Sequence, residues 1–366
     1  MLTDQAVNNH LLQQLTPEFK SIMLVRHSRI CYNYTVLKVI SQNDIPNLVS
    51  HLKKSNGVFA PVTKNNETVF DKVTNSRNIV LDYQTTILPP KIYFLPPEEE
   101  LFRVTNGRVR EIKIKKQFVV FGLNLKDLAA IVYLDQIMGK DPADLFYQRR
   151  RELSTLIAIS EGQTGVPAGG DLILERIPRD NFRAIALTEK GREIVSLDLF
   201  KEASVDEEAK PQKPPSKLEK MLLDSELIAQ AVEWSRENYS KIWDDLGKLC
   251  LGCGICTYVC PLCYCTSSED KTSFDQSICS RCRLWDACTL PTFAKVAGGH
   301  DFRPTQKNRY YNWFYHKFVR GYKEFGQAQC VACGRCQKYC PAGINIETVL
   351  EEVINAFQKT CPIRKF

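Results

Sequence analysis

The sequence predicts an α+β protein: an α/β N-terminal domain followed by a mainly helical C-terminal domain. Three observations carry that reading. Strand-like and helix-like segments alternate between Phe118 and Ile159, the order of an α/β unit. A charged, proline-bearing stretch at 202–216 has the composition of a linker. Beyond it, two cysteine runs in one register, Cys250–Pro261 and Cys330–Pro341, frame the remaining chain. The expected division is therefore 1–201, 202–216 and 217–366, and 366 residues suffice for two domains.

Taken in order, residues 1–20 have the pattern of a short helical arm. Phe59–Val62 and Ile79–Leu81 read as short strands between polar turns such as Lys64-Asn65-Asn66-Glu67. Leu88-Pro89-Pro90 and Leu95-Pro96-Pro97 interrupt any longer element. Phe118–Gly122 reads as a buried strand and runs into Leu128–Met138, where apolar residues recur at helical spacing. A second strand, Leu156–Ile159, leads to the glycine-rich loop Gly162–Gly170. That loop lacks the G-x-G-x-x-G pattern of dinucleotide binding and reads as a surface loop. Leu218–Leu249 is helical in pattern and is expected to pack beneath the first cysteine run. Ile344–Phe357 has the spacing of an amphipathic helix after the second.

Net charge is +7 and widely spread. Nucleic-acid binders concentrate their basic residues, so no nucleic-acid partner is expected. The one tight run, Arg149-Arg150-Arg151, reads as a solvated helix face. Met1–Leu15 shows no secretory pattern, and no apolar run has the length of a membrane helix. No direct membrane insertion is expected. Fifteen cysteines in ligand spacing suit a reducing, cytoplasmic setting.

Each run places three cysteines three apart, a fourth four residues on, then proline. This is the C-x2-C-x2-C-x3-C-P pattern of two-cluster bacterial ferredoxins, in which the fourth cysteine ligates the other cluster. Thiolate is a soft ligand suited to iron–sulfur clusters. The expectation is two [4Fe–4S] clusters with crossed ligation. Cys250, Cys253, Cys256 and Cys340 hold one; Cys330, Cys333, Cys336 and Cys260 hold the other. Gly254 and Gly334 permit a tight turn beside each cluster. Pro261 and Pro341 redirect the chain after each fourth cysteine. Two structural zinc sites would need only paired Cys-x-x-Cys knuckles, and the doubled four-cysteine run weighs against them.

The runs are separated by a long insertion, 262–329, with five further cysteines: Cys263, Cys265, Cys279, Cys282 and Cys288. These could form a third metal site, iron–sulfur or zinc, or remain buried free thiols. His300 is a minor candidate ligand. Cys31 and Cys361 have no assigned role. The segment Phe302–Trp313 is rich in aromatics and arginine and is a candidate docking face.

The sequence resembles a known family. Cys250–Cys265, Trp285-Asp286-Ala287-Cys288, Ala297–Pro304 and Cys330–Pro341 look like the iron–sulfur β subunit of soluble [NiFe] sulfhydrogenases. The corresponding iron–sulfur chain of anaerobic sulfite reductase is similar. Thr86–Pro90, Phe121-Gly122 and Val132–Asp135 extend the likeness into the N-terminal part. The resemblance implies a non-catalytic electron carrier. Its partners would be a flavin subunit that handles NAD(P)H and either [NiFe] hydrogenase subunits or a siroheme sulfite reductase subunit. Relatives commonly carry cysteines after the Phe-Gly strand and after the next strand. Here Leu123–Asp127 and Ser160–Thr164 contain none, so no N-terminal cluster is expected. Cys279 and Cys282 are extra to the family pattern.

Two other classes compete. Heterodisulfide reductases and cobalamin-dependent reductases also use ferredoxin modules, but neither a Cys-Cys pair nor a corrin-binding domain is evident here. Structural clusters in a nucleic-acid protein would call for a basic stripe, which is missing.

Overall fold

A mixed sheet of eight strands fills the N-terminal half of the chain. The computed structural model describes residues 37–162, 169–203 and 214–360. The arm at 1–20, most of the Gly162–Gly170 loop, most of 202–216, Cys31 and Cys361 lie outside them.

The chain begins with β1 (Leu37–Ser41), α1 (Ile45–Leu52), β2 (Gly57–Lys64) and β3 (Glu67–Lys72). The β2–β3 turn is the expected one: Asn65 and Asn66 both take positive φ, a conformation asparagine tolerates well. Ile79–Leu81 is not a strand. Ile79 makes only an isolated bridge to Val62, and Val80 N–H donates to Pro61 O at 2.8 Å. β4 (Glu98–Thr105) and β5 (Arg108–Glu111) form a hairpin through Asn106-Gly107.

β6 (Phe118–Asn124), α2 (Leu125–Met138), α3 (Leu145–Leu153) and β7 (Ser154–Ser160) follow. Then come β8 (Leu172–Ile177), β9 (Asn181–Ala186), α4 (Glu189–Val195) and β10 (Lys201–Ala203). β2, β6, β7 and β8 pair in parallel at the centre of the sheet. Side chains alternate between its faces. Val119, Phe121, Ile157, Ile159, Leu172 and Leu174 pack with α1 and α4 on one face. Val120, Leu156, Ala158 and Ile173 pack with α2 on the other. Strands buried on both faces read as continuous apolar runs, which is how β6 and β7 look in the sequence.

The expected linker begins too early, because Glu202 belongs to β10 and pairs with Lys38 of β1. Beyond it, α5 (Lys217–Leu222), α6 (Ser225–Asn238) and α7 (Ser240–Leu249) replace the single helical stretch. Asp224 caps α6 by accepting from Leu227 N–H at 2.9 Å. After the short α8 (Ile255–Tyr258), β11 (Thr266–Thr272) and β12 (Ile278–Trp285) form a hairpin. α9 (Gln306–Phe314), a π-helical turn (Tyr315–Arg320), α10 (Gly321–Phe325), α11 (Arg335–Lys338) and α12 (Ile346–Thr360) complete the described residues.

The C-terminal part is not helical throughout. β12 pairs with β4, giving a second, four-stranded antiparallel sheet in the order β11-β12-β4-β5. This sheet joins residues 98–111 to residues 266–285, so the expected division near 202–216 does not separate two independent bodies. Arg149–Arg151 is also not a free solvated face. Arg150 pairs with the buried Glu99, Arg149 with Glu111, and Arg151 Nε with Asp135 at 2.9 Å.

Candidate metal centres

α7 leads into the first cysteine run. It buries Ile242, Trp243 and Leu246, and Cys250 N–H caps it at Leu246 O, 2.8 Å away. The two runs then fold alike. Gly254 has φ +77° and Gly334 φ +76°, and a one-turn helix follows each, α8 and α11. Thr257 and Tyr258 donate back to Gly254 O at 2.9 and 3.2 Å. Gln337 and Lys338 donate to Gly334 O at 3.2 and 2.9 Å. Tight curling of this kind turns three cysteines toward one point while the fourth leaves in another direction.

Each fourth cysteine borders a void beside the other run. One void is lined by Cys250, Cys253, Cys256 and Cys340, with Pro341 beside them. A second void is lined by Cys330, Cys333, Cys336 and Cys260, with Pro261. Cys336 borders both. Each group contains three cysteines of one run and the last cysteine of the other, a donor set that fits iron–sulfur cubes. None of the thirteen cysteines among the described residues is in a disulfide.

Burial pushes the ligand thiols up: Cys256 to about 12, Cys330 to about 11, and Cys336 well above its ordinary value. Binding a metal at these positions displaces their protons. Cys260 goes the other way. It accepts from the Cys263 thiol, and Lys317 and Lys91 lie near, so its pKa falls well below the usual thiol range despite burial. Lys317 Nζ donates to Cys260 Sγ at 3.2 Å. Burial opposes the Lys317 charge, but the Cys260 and Cys263 sulfurs more than offset it and its pKa rises. Gln306 Nε2 donates to Cys250 Sγ at 3.2 Å.

The five cysteines of the insertion divide. Cys263, Cys265 and Cys288 line a third void with His316 and Lys317. Cys279 and Cys282 lie elsewhere, on β12, facing β11 and β4. They line none of the three voids, so the five do not form one site. His300 is exposed and packs edge-on against Phe302. Most of the candidate docking segment's aromatics point inward: Tyr310, Tyr311 and Trp313 are buried, as is Arg309, and Tyr310 and Trp313 border the first void. Only Phe302 of its aromatics is well exposed, at 66%.

Sequence reasoning missed Lys91, Lys317 and His316. Lys91 comes from the N-terminal half and donates to Cys263 O at 2.8 Å. It also missed the role of Arg335, inside the second run. Arg335 donates to both carboxylate oxygens of Asp127, at 2.6 and 2.7 Å, and both side chains are wholly buried. Buried lysines and arginines leave no periodic signature. The one available signal was an arginine within an otherwise small and apolar cysteine loop.

Comparison with known proteins agrees with this geometry. Residues 249–344 match the family model of the 4Fe–4S dicluster domain. The chain is 33% identical to sulfhydrogenase 2 subunit beta of Pyrococcus furiosus over 325 residues. That match covers 84% of this chain and 95% of the relative. The chain belongs to the sulfhydrogenase β-subunit family. No solved structure matches it. As a member of that family with a 4Fe–4S dicluster domain, it is an iron–sulfur protein of hydrogenase-type electron transfer. No helix among the described residues is long and apolar enough to cross a membrane.

Proposed function

We propose that this chain is the electron-relay subunit of a cytoplasmic multi-subunit oxidoreductase. It would pass electrons between a [NiFe] hydrogenase module and an NAD(P)H-linked flavin subunit. The observation that carries the reading is the exchange of Cys260 and Cys340 between the two cysteine-lined voids. Cys250, Cys253, Cys256 and Cys340 would hold one [4Fe–4S] cube, and Cys330, Cys333, Cys336 and Cys260 the other. Each cube, when bound, accepts and releases one electron at a time.

The chain's own residues bind, shield and tune. Tyr310, Trp313, Ile344 and Ile346 form an apolar wall at the first void. Lys317 and Gln306 donate to cysteine sulfurs, and such hydrogen bonds adjust cluster potentials. Cys253 is exposed, and the nearby Leu249 and Leu251 are 49% and 68% exposed. That makes the first cube the one nearest a redox partner. A siroheme sulfite reductase subunit is the second reading for the terminal partner, from the sequence resemblance.

The test is anaerobic purification of the native complex and identification of its subunits. The expected partners are a nickel–iron pair and a flavin subunit. A siroheme subunit replaces the hydrogenase reading with the sulfite reductase one. An isolated chain that turns over substrate by itself contradicts both.

A further inference from the structure

We propose that Cys263, Cys265 and Cys288, with His316 at the fourth position, hold a third [4Fe–4S] cube beside the two ferredoxin-type ones. This deepens the proposed function and rests on it.

The first observation is convergence. Cys263 and Cys265 follow closely on Pro261, whereas Cys288 arrives after the β11–β12 hairpin and His316 on the π-helical turn. All four border one void. Cys265 and Cys288 contact each other through their thiols, and Cys288 Sγ lies 4.0 Å from Thr257 Oγ1. His316 Nε2 meets Tyr264 OH at 3.2 Å, the kind of outer partner that orients a ligand ring.

The second observation is charge. Lys91 and Lys317 are 2% and 4% exposed. Lys91 Nζ meets Thr257 O and Cys263 O, at 3.3 and 2.8 Å, and lies over the Trp285 ring. Lys317 Nζ meets Gln329 O at 3.1 Å and Cys260 Sγ at 3.2 Å. Neither has a carboxylate partner among the described residues. A buried ammonium keeps its charge only beside negative charge, so two together call for a nearby anionic centre. Lys317 also borders the second void and there serves the second cube. Lys91 Nζ sits on the backbone of Cys263 itself, and an anionic cluster at Cys263, Cys265 and Cys288 supplies its counter-charge.

The full chain, purified anaerobically after loading with iron and sulfide, is analysed for iron, acid-labile sulfide and zinc. The proposal expects about twelve irons, four per cube. About eight irons without zinc overturns the third centre and leaves the two-cube reading standing. About eight irons with one zinc also overturns it, in favour of a single-ion site. Fewer than eight sinks both. Cys288→Ser should lose about four irons and keep the electron paramagnetic resonance signals of the two ferredoxin cubes. Because that variant could misfold, His316→Ala provides a second readout. It should change the signal of the third centre alone, and a spectrum identical to wild type removes the histidine from the site.

Discussion

A methyl group on residue 254 has nowhere to go. Gly254 has φ +77°, and a Cβ there would lie 2.8 Å from Ala287 Cβ and 3.0 Å from Tyr258 Cε2. Gly334, its counterpart, has φ +76° and nothing within 4 Å of that position. Alanine at either residue forces a left-handed backbone, at about 1–2 kcal/mol. At Gly254 the overpacking adds about 1–3 kcal/mol more. Gly254→Ala should therefore destabilise the protein clearly more than Gly334→Ala in anaerobic urea titrations. Equal losses would contradict the packing described around the first run. Both glycines, both prolines and all eight run cysteines were legible in the sequence, because the motif is local. Lys91, Lys317 and His316 were not, since each reaches its cysteines only through the fold.

At the scale of elements, one buried pair joins the second cysteine run to the large sheet. Asn124 caps α2 by accepting from Asp127 N–H at 2.8 Å, and Asp127 then clamps Arg335. Arg335 Nε also donates to Thr86 O at 2.8 Å. Leu123–Asp127 thus forms a helix cap and an anchor for the second cysteine loop. Asp127→Ala would leave a guanidinium buried without its counter-charge, a loss of about 3–5 kcal/mol. Chemical denaturation should show that fall, together with earlier release of iron from the Cys330 loop. A stability within about 1 kcal/mol of wild type, the usual worth of an exposed ion pair, would show that the pair carries no such load. β6, α2 and β7 were legible because apolar runs and helical spacing are local signals. The second sheet was not. All four residues of β5 are exposed, β11 is almost wholly so, and its partners lie far apart in sequence. Asn106-Gly107, a favoured two-residue hairpin turn, was the signal that could have exposed β4 and β5.

At the scale of the molecule, the α/β half and the cysteine-rich half share a core. Cys260 and Leu262 pack in one cluster with Val120, Leu128, Leu156 and Ile173. Tyr133 OH donates to Gln327 O at 2.9 Å, and Lys126 Nζ to Ala332 O at 3.1 Å. The sheet thus acts as the rigid base on which the second cysteine loop is set, and rigid elements hold site geometry better than loops do. The sequence presents a linker between two domains, but long-range strand pairing and buried ion pairs bind the halves together, and neither leaves a local trace. Electron relay through this chain requires crossed ligation of two reducible cubes. The direct measurement is an anaerobic redox titration of the full chain, followed by electron paramagnetic resonance, for wild type, Cys260→Ser and Cys250→Ser. Wild type should show separate one-electron signals from the two ferredoxin cubes. Cys260→Ser should abolish or alter the signal of the Cys330, Cys333 and Cys336 cube and leave intact the one that Cys250→Ser removes. Loss of the same signal in both variants, or a wild-type chain that accepts no electrons, would contradict it.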